Sequence, residues 1–313
     1  MSIADPSADP NAARQLDAVA VRATLRRLAR AAEPPWLHAE VARRMAQRLE
    51  IIRVRPKRVV DWWGGVGAGA AELRRICPQA ATVVVEPDAA WLARSRAAAQ
   101  RPWWRAAASR RPAAQVLGED AALPPDAGLV WANMVLHAVV DPPALFERWE
   151  SLLAADGFVM FSCLGPGSLR ELRALYARRG WGSATPGFID MHDLGDMLVR
   201  AGFADPVMDQ EVLTLTWPDA GALLAELRGL GGNAAPDRLK GLRTPRWRRE
   251  LEAELDALAG PDGRIALSFE VAYGHAFKAA PRVRANEPTR VSLDSMRSLL
   301  RTGRGRKPGP VLG

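Results

Sequence analysis

Apolar residues recur at two periods along this chain, and the alternation of the two predicts its elements. From Ala18 to Ala32 the spacing is helical, and Pro34-Pro35 ends it. From Trp36 to Leu49, the residues Leu37, Val41, Met45 and Leu49 return every four positions, which predicts a second amphipathic helix. Short apolar runs follow at Arg58–Trp62, Thr82–Glu86, Gln115–Leu117, Gly128–Asn133 and Phe158–Cys163, separated by helical patterns near 68–76, 88–99 and 142–154. Further on come a helix at Met191–Ala201 with Gly202 as its C-cap, a long strand at Pro206–Trp217, helices at Ala220–Leu230 and Thr244–Leu258, and a last strand at Ile265–Lys278. Strands alternating with helices at this spacing predict a parallel sheet covered on both faces. Two long strands late in the chain predict an antiparallel addition to it.

Composition narrows the class. The chain has 313 residues, 48% hydrophobic and 25% charged, which is an ordinary globular balance. No apolar run approaches the ~20 residues of a membrane helix, and Met1-Ser2-Ile3-Ala4-Asp5-Pro6 lacks the pattern of a secretory signal. A cytoplasmic protein with no membrane partner is expected. Two cysteines, Cys77 and Cys163, make neither a disulfide framework nor a zinc site, and the four histidines have no metal-ligand spacing, so no metal is assigned. Of the net charge of +8, the segment 279–313 carries +6. The basicity is thus an appendage, and nucleic acid is not the expected partner. The domain plan is a flexible N-terminus at 1–14, a single domain at 15–278 that begins with helices at 15–50 and carries a helical insertion at 218–262, and a basic, disordered tail at 279–313.

Three acidic punctuation marks carry the candidate chemistry. Asp61 ends the first strand and is followed by Trp62-Trp63-Gly64-Gly65-Val66-Gly67-Ala68-Gly69, a turn that brings backbone N–H groups close to a ligand. Glu86 ends the second strand, where a carboxylate can take both ribose hydroxyls of a nucleotide. Asp120 follows the third, within reach of an adenine amino group. Ligands of doubly wound sheets bind at these strand ends. The predicted fold is therefore α/β: a Rossmann-like, doubly wound, mostly parallel seven-stranded sheet with an antiparallel last strand and helical insertions.

The order Asp61…Gly65-x-Gly67, Glu86, Asp120-x-x-Leu-Pro, Asn133 and Asp156-Gly157 resembles the class I S-adenosylmethionine-dependent methyltransferases. Three downstream segments resemble one branch, the BioC-type malonyl-acyl-carrier-protein O-methyltransferases of biotin synthesis. They are Gly165-Pro-Gly-Ser168-Leu169-Arg170-Glu171-Leu172-Arg173, Met191-His192-Asp193-Leu194-Gly195-Asp196, and Phe269-Glu-Val-x-Tyr273-Gly274-His275. The resemblance covers roughly residues 22–278. It implies S-adenosylmethionine as methyl donor, with Asp61 in its binding loop, Gly65 and Gly67 near the methionine moiety, Glu86 on the ribose, Asp120 and Ala121 bordering the adenine, and Asn133 near the methionine end. It also implies an acyl carrier protein, acidic in character, as partner. A malonyl carboxylate is already ionised at neutral pH and needs no base, so the expected catalytic help is a cation that holds it. Arg173 is the candidate, with His137 as a second residue reaching the cleft. The basic segment Arg238, Lys240, Arg243, Arg246, Arg248 and Arg249 is a candidate docking face, or else an ordinary solvated helix face. The family's loop has a glycine where Trp63 stands here. Two functional readings follow: an active methyltransferase, or a non-catalytic or regulatory paralogue that acts by binding a partner.

Overall fold

The computed structural model describes residues 15–100, 113–239 and 243–279. The expectations for 1–14 and for the basic tail lie outside the described residues.

Local signals set the helix starts. Helix α1 (Ala18–Ala29) begins at Asp17, whose carboxylate accepts the N–H groups of Val19 and Ala20, and it buries Val21, Leu25 and Leu28. Helix α2 (Trp36–Ile51) follows Pro35 and buries Leu37, Val41, Met45 and Leu49, the four residues whose spacing predicted it. Strand β1 (Arg58–Trp62) leads into a one-turn helix α3 (Gly64–Gly67) and then α4 (Ala70–Ile76). Then come β2 (Ala81–Glu86), α5 (Ala89–Ala99), β3 (Gln115–Gly118), β4 (Ala127–Ala132), α6 (Pro142–Leu152) and β5 (Leu153–Leu164). The chain continues through α7 (Arg170–Arg179), α8 (Met191–Arg200), β6 (Phe203–Trp217), α9 (Ala220–Leu230), α10 (Pro245–Asp256) and β7 (Ile265–Lys278).

The seven strands form one sheet in the order β3-β2-β1-β4-β5-β7-β6, with β1 to β5 parallel and β7 antiparallel to both its neighbours. The order reverses between β1 and β4, so the crevice at their C-terminal ends is the ligand-binding position of such a sheet. Both faces are buried, and alternate residues feed two separate cores. Val60, Val130 and Ala132 pack with α1, α5, α6 and α8, whereas Val59, Leu129 and Trp131 pack with α2, α4, α7, α9 and α10. Trp91, Trp131 and Trp149 are fully buried within these layers. No helix among the described residues is long and apolar enough to cross a membrane.

The expected elements are present, with two kinds of difference. Strand β5 begins at Leu153, five residues before Phe158, and β6 begins at Phe203 rather than Pro206. Each extension crosses a register shift, and Asp156 (φ 62°) and Asp205 (φ 48°) lie in these early turns of chain. A bulge breaks the two-residue alternation on which the strand signal depends. Helix α7 was not expected, because Gly165-Pro166-Gly167 reads as a loop. Its buried Leu172, Leu175 and Tyr176 are the helical signal that was there to be read.

Candidate active site

The loop after β1 places backbone where a side chain would otherwise lie. Trp63 takes the left-handed conformation (φ 54°, ψ 44°), and its N–H donates to the Val85 carbonyl at 2.6 Å, tying the loop to β2. The turn is closed by the Gly67 N–H on the Trp63 carbonyl at 2.8 Å. A Cβ on Gly65 would lie 2.7 Å from the Trp91 ring and 2.9 Å from Glu86 Oε1, and one on Gly67 would lie 2.9 Å from the Asn133 carbonyl. Both positions require glycine for close approach.

Two carboxylates are buried beside this loop. Glu86 ends β2 with no exposure; its Oε1 accepts the Gly65 N–H at 2.8 Å and the Ser95 hydroxyl at 2.6 Å, and its Oε2 has no partner among the described residues. Asp61 is also buried, and its Oδ2 has none. Burial pushes Asp61 up to about 8, with the neighbouring Glu86 charge adding to the effect. Burial raises Glu86 to about 7, against the hydrogen bonds from Ser95 and Gly65 that favour its charge.

The sign of the pH dependence follows. A raised acid keeps its proton in the folded chain after the unfolded chain has lost it. Its contribution is most favourable below the ordinary carboxylate range and declines as pH rises to about 7 for Glu86 and about 8 for Asp61. Ligand binding to ionised Glu86 has the opposite slope. Hydroxyl donors favour the charged form, so affinity for S-adenosylhomocysteine should rise about tenfold per pH unit below neutrality and level off above it. Calorimetric titration across this range checks it, and Glu86→Gln should flatten the profile.

The third mark divides into two residues. Asp120 is exposed in the turn after β3, and the Ala121 N–H closes that turn on the Gly118 carbonyl at 3.1 Å. Glu119, which the sequence did not single out, turns inward and accepts the Trp63 indole N–H at 2.5 Å. Burial raises its pKa, opposed by that bond. Its only sequence signal is its place one residue before Asp120.

Asn133 is committed to the protein. Its Nδ2 donates to the His38 carbonyl at 2.7 Å and the Gly67 carbonyl at 2.6 Å, and its Oδ1 accepts the Ser162 hydroxyl at 2.7 Å. The side chain expected near the cofactor is thus a fastener between α2, the glycine loop and β5. His38, missed as a site residue because it falls on the apolar face of a helix, is fully buried with Nδ1 2.8 Å from the Val66 carbonyl. A carbonyl only accepts, so Nδ1 carries the proton, and burial holds the ring neutral with a pKa of about 4.

Two spaces meet above the strand ends. A cleft of about 420 Å³ is bordered by Arg22, Trp62, Trp63, Pro87, Glu119 and Arg148. An inner cavity of about 280 Å³ is lined by His38, Trp63, Met134, His137, Tyr176 and Phe188, among mostly apolar neighbours. Val21 and Leu25 from α1, Ala138 and the Trp63 indole line both, so they form the wall between them. His137 lines the inner cavity, and its ring lies 6.4 Å from that of His38. Arg173 does not line it: α7 and its N-cap line the cavity with Leu169, Leu172 and Tyr176, while Arg173 Nη2 donates to the Pro166 carbonyl. The guanidinium satisfies the loop that precedes its own helix. The cation at the cavity is instead Arg228, on α9.

The methyltransferase-domain family matches residues 36–205. The malonyl-(acyl-carrier protein) O-methyltransferase of Halorhodospira halophila is 37% identical over 293 residues, 91% of this chain and 97% of that relative. The chain belongs to this methyltransferase family. The enzyme of the same name from Gallionella capsiferriformans is 38% identical over 252 residues, 79% of this chain and 86% of its own. Among solved structures, the YcgJ protein from Bacillus subtilis covers 76% of this chain and 98% of its own at a TM-score of 0.53 and 11% identity, a likeness of fold alone.

The chain is accordingly an S-adenosylmethionine-dependent methyltransferase, and its residues fit that methyl donor. Two buried carboxylates each keep one oxygen without a partner, which suits the hydroxyl and ammonium donors of such a molecule. The backbone cradle that a Cβ at Gly65 or Gly67 would fill lies beside them.

Proposed function

We propose that the enzyme methylates the free carboxylate of a malonyl thioester carried by an acyl carrier protein, as a cytoplasmic step in biotin synthesis. The observation that carries this reading is the match along nearly the whole length of relatives of that name, 97% of one of them. The site's chemistry agrees with it. S-adenosylmethionine supplies an electrophilic methyl group on a sulfonium, and an ionised carboxylate is already the nucleophile, so no base has to act. The protein's task is to strip water from the carboxylate and hold it in line. A mostly apolar inner cavity performs the first task. His137 within it and Arg228 at its edge are the polar groups placed for the second. Glu86, the Gly65–Gly67 backbone and the Asp120-Ala121 turn hold the donor.

The test is methyl transfer from labelled S-adenosylmethionine to a malonyl-loaded carrier, with an acetyl-loaded carrier as control. A methyl ester should form on the first and not on the second. Equal labelling of both, or of neither by protein that binds the donor, would sink the substrate assignment.

A further inference from the structure

The basic segment that offered either a docking face or an ordinary solvated helix face is partly neutralised within the fold, at Arg238, Arg246 and Arg248. Arg246 pairs with Glu250 at 3.0 Å and Arg248 with Glu252 at 2.8 Å along α10, and Arg238 pairs with Asp17 at 2.8 Å. Glu254, on the same helix, pairs with Arg178 of α7 at 3.1 Å. Arg243 lies over the Trp247 ring, 4.2 Å from its centroid. Lys240 lies outside the described residues.

The opposite situation holds on α1. Arg22, Arg26 and the C-cap residue Arg30 recur every four residues on its exposed side, and none has an ion pair among the described residues. They make a stripe about 12 Å long. Asp17, at the start of the helix, is engaged by Arg238 and by the helix cap. Positive charge accumulates further at the neighbouring end of α9. Arg27 donates to the carbonyls of Arg228 and Gly231, and burial, then the nearby Arg228 charge, hold its pKa below the ordinary arginine value. The opposite side of α1 contributes Val21, Thr24, Leu25 and Leu28 to the inner cavity. The same helix therefore roofs the acceptor cavity and presents uncompensated guanidinium groups above it.

Resting on the proposed carrier-bound substrate, we propose that the Arg22-Arg26-Arg30 stripe of α1, together with Arg228, is the surface on which the acidic carrier protein docks. Charge complementarity selects this occupant: a stripe of unpaired arginines attracts an acidic face, and its place beside the cavity leaves a tethered thioester only a short distance to enter.

The test compares two acceptors in one enzyme. The first is malonyl-loaded carrier protein, and the second is malonyl-N-acetylcysteamine, which has the thioester and carboxylate without the protein. Arg26→Glu/Arg30→Glu changes residues that line neither space. It should raise KM for the carrier substrate roughly tenfold and weaken the dependence of that KM on salt, because rim charges act mainly on encounter. Turnover of the small thioester should not change. Arg246→Glu/Arg248→Glu should leave KM for the carrier within about twofold, as expected of charges that are already paired. An unchanged carrier KM in the α1 variant, an equal loss on both acceptors, or a larger effect from the α10 variant overturns the docking surface. Methylation of neither acceptor by the unaltered enzyme overturns the substrate reading on which it rests.

Discussion

Replacing Glu86 with alanine should lower the affinity for S-adenosylhomocysteine about 100-fold at pH 8. Two hydrogen bonds from a ribose to a charged acceptor contribute about 1.5–3 kcal/mol each, so losing both costs at least ~3 kcal/mol. The Gly65 N–H and the Ser95 hydroxyl fix Oε1, and Oε2 has no partner among the described residues. Since burial disfavours its charge, removing it should change folding stability little at that pH. Calorimetric titration of the variant, with a denaturation curve beside it, separates the two effects. Full retention of affinity would show that Glu86 is a structural acid and that the ribose binds elsewhere.

Trp63→Gly should act on stability and affinity in opposite directions. The indole is 6% exposed, and truncating a buried tryptophan costs about 3–5 kcal/mol. Glycine regains about 1–2 kcal/mol, because Trp63 occupies a left-handed conformation (φ 54°) that a side chain disfavours. The net loss should be about 1–4 kcal/mol, read as a lower denaturation midpoint. Affinity for S-adenosylhomocysteine should nevertheless rise about tenfold. The indole stands in the wall between the cleft and the inner cavity, latched to Glu119 at 2.5 Å, so its removal joins the two spaces and frees the loop that carries Gly65 and Gly67. An affinity that falls along with stability would instead make the ring part of the donor's binding surface.

The glycine loop shows how much of the site could be read from sequence and where reading stops. The placement of Asp61, Gly65, Gly67 and Glu86 around one loop was legible because a strand end, a tight turn and a second strand end leave a local mark at fixed spacing. The role of Arg173 depends on where a long side chain finds an acceptor, and the Pro166 carbonyl seven residues earlier claims it. Glu119 and Asp120 are adjacent in the chain, yet one turns inward to Trp63 and the other outward to water. His38 carries no local mark at all, since its partner, the Val66 carbonyl, belongs to another element.

By itself the sequence determined the strand order along the chain, most of the helices, the parallel sheet with its late antiparallel strand, and the acidic residues at the strand ends. These depend on hydrophobic periodicity and turn chemistry, which act over a few residues. Only the tertiary structure decided that Asn133 fastens three elements, that Trp63 walls off one space from another, and that Arg246 and Arg248 of α10 are paired while Arg22 and Arg26 of α1 have no ion pair among the described residues. Each of these depends on which distant groups meet a side chain, and packing brings those groups together without leaving a pattern along the chain.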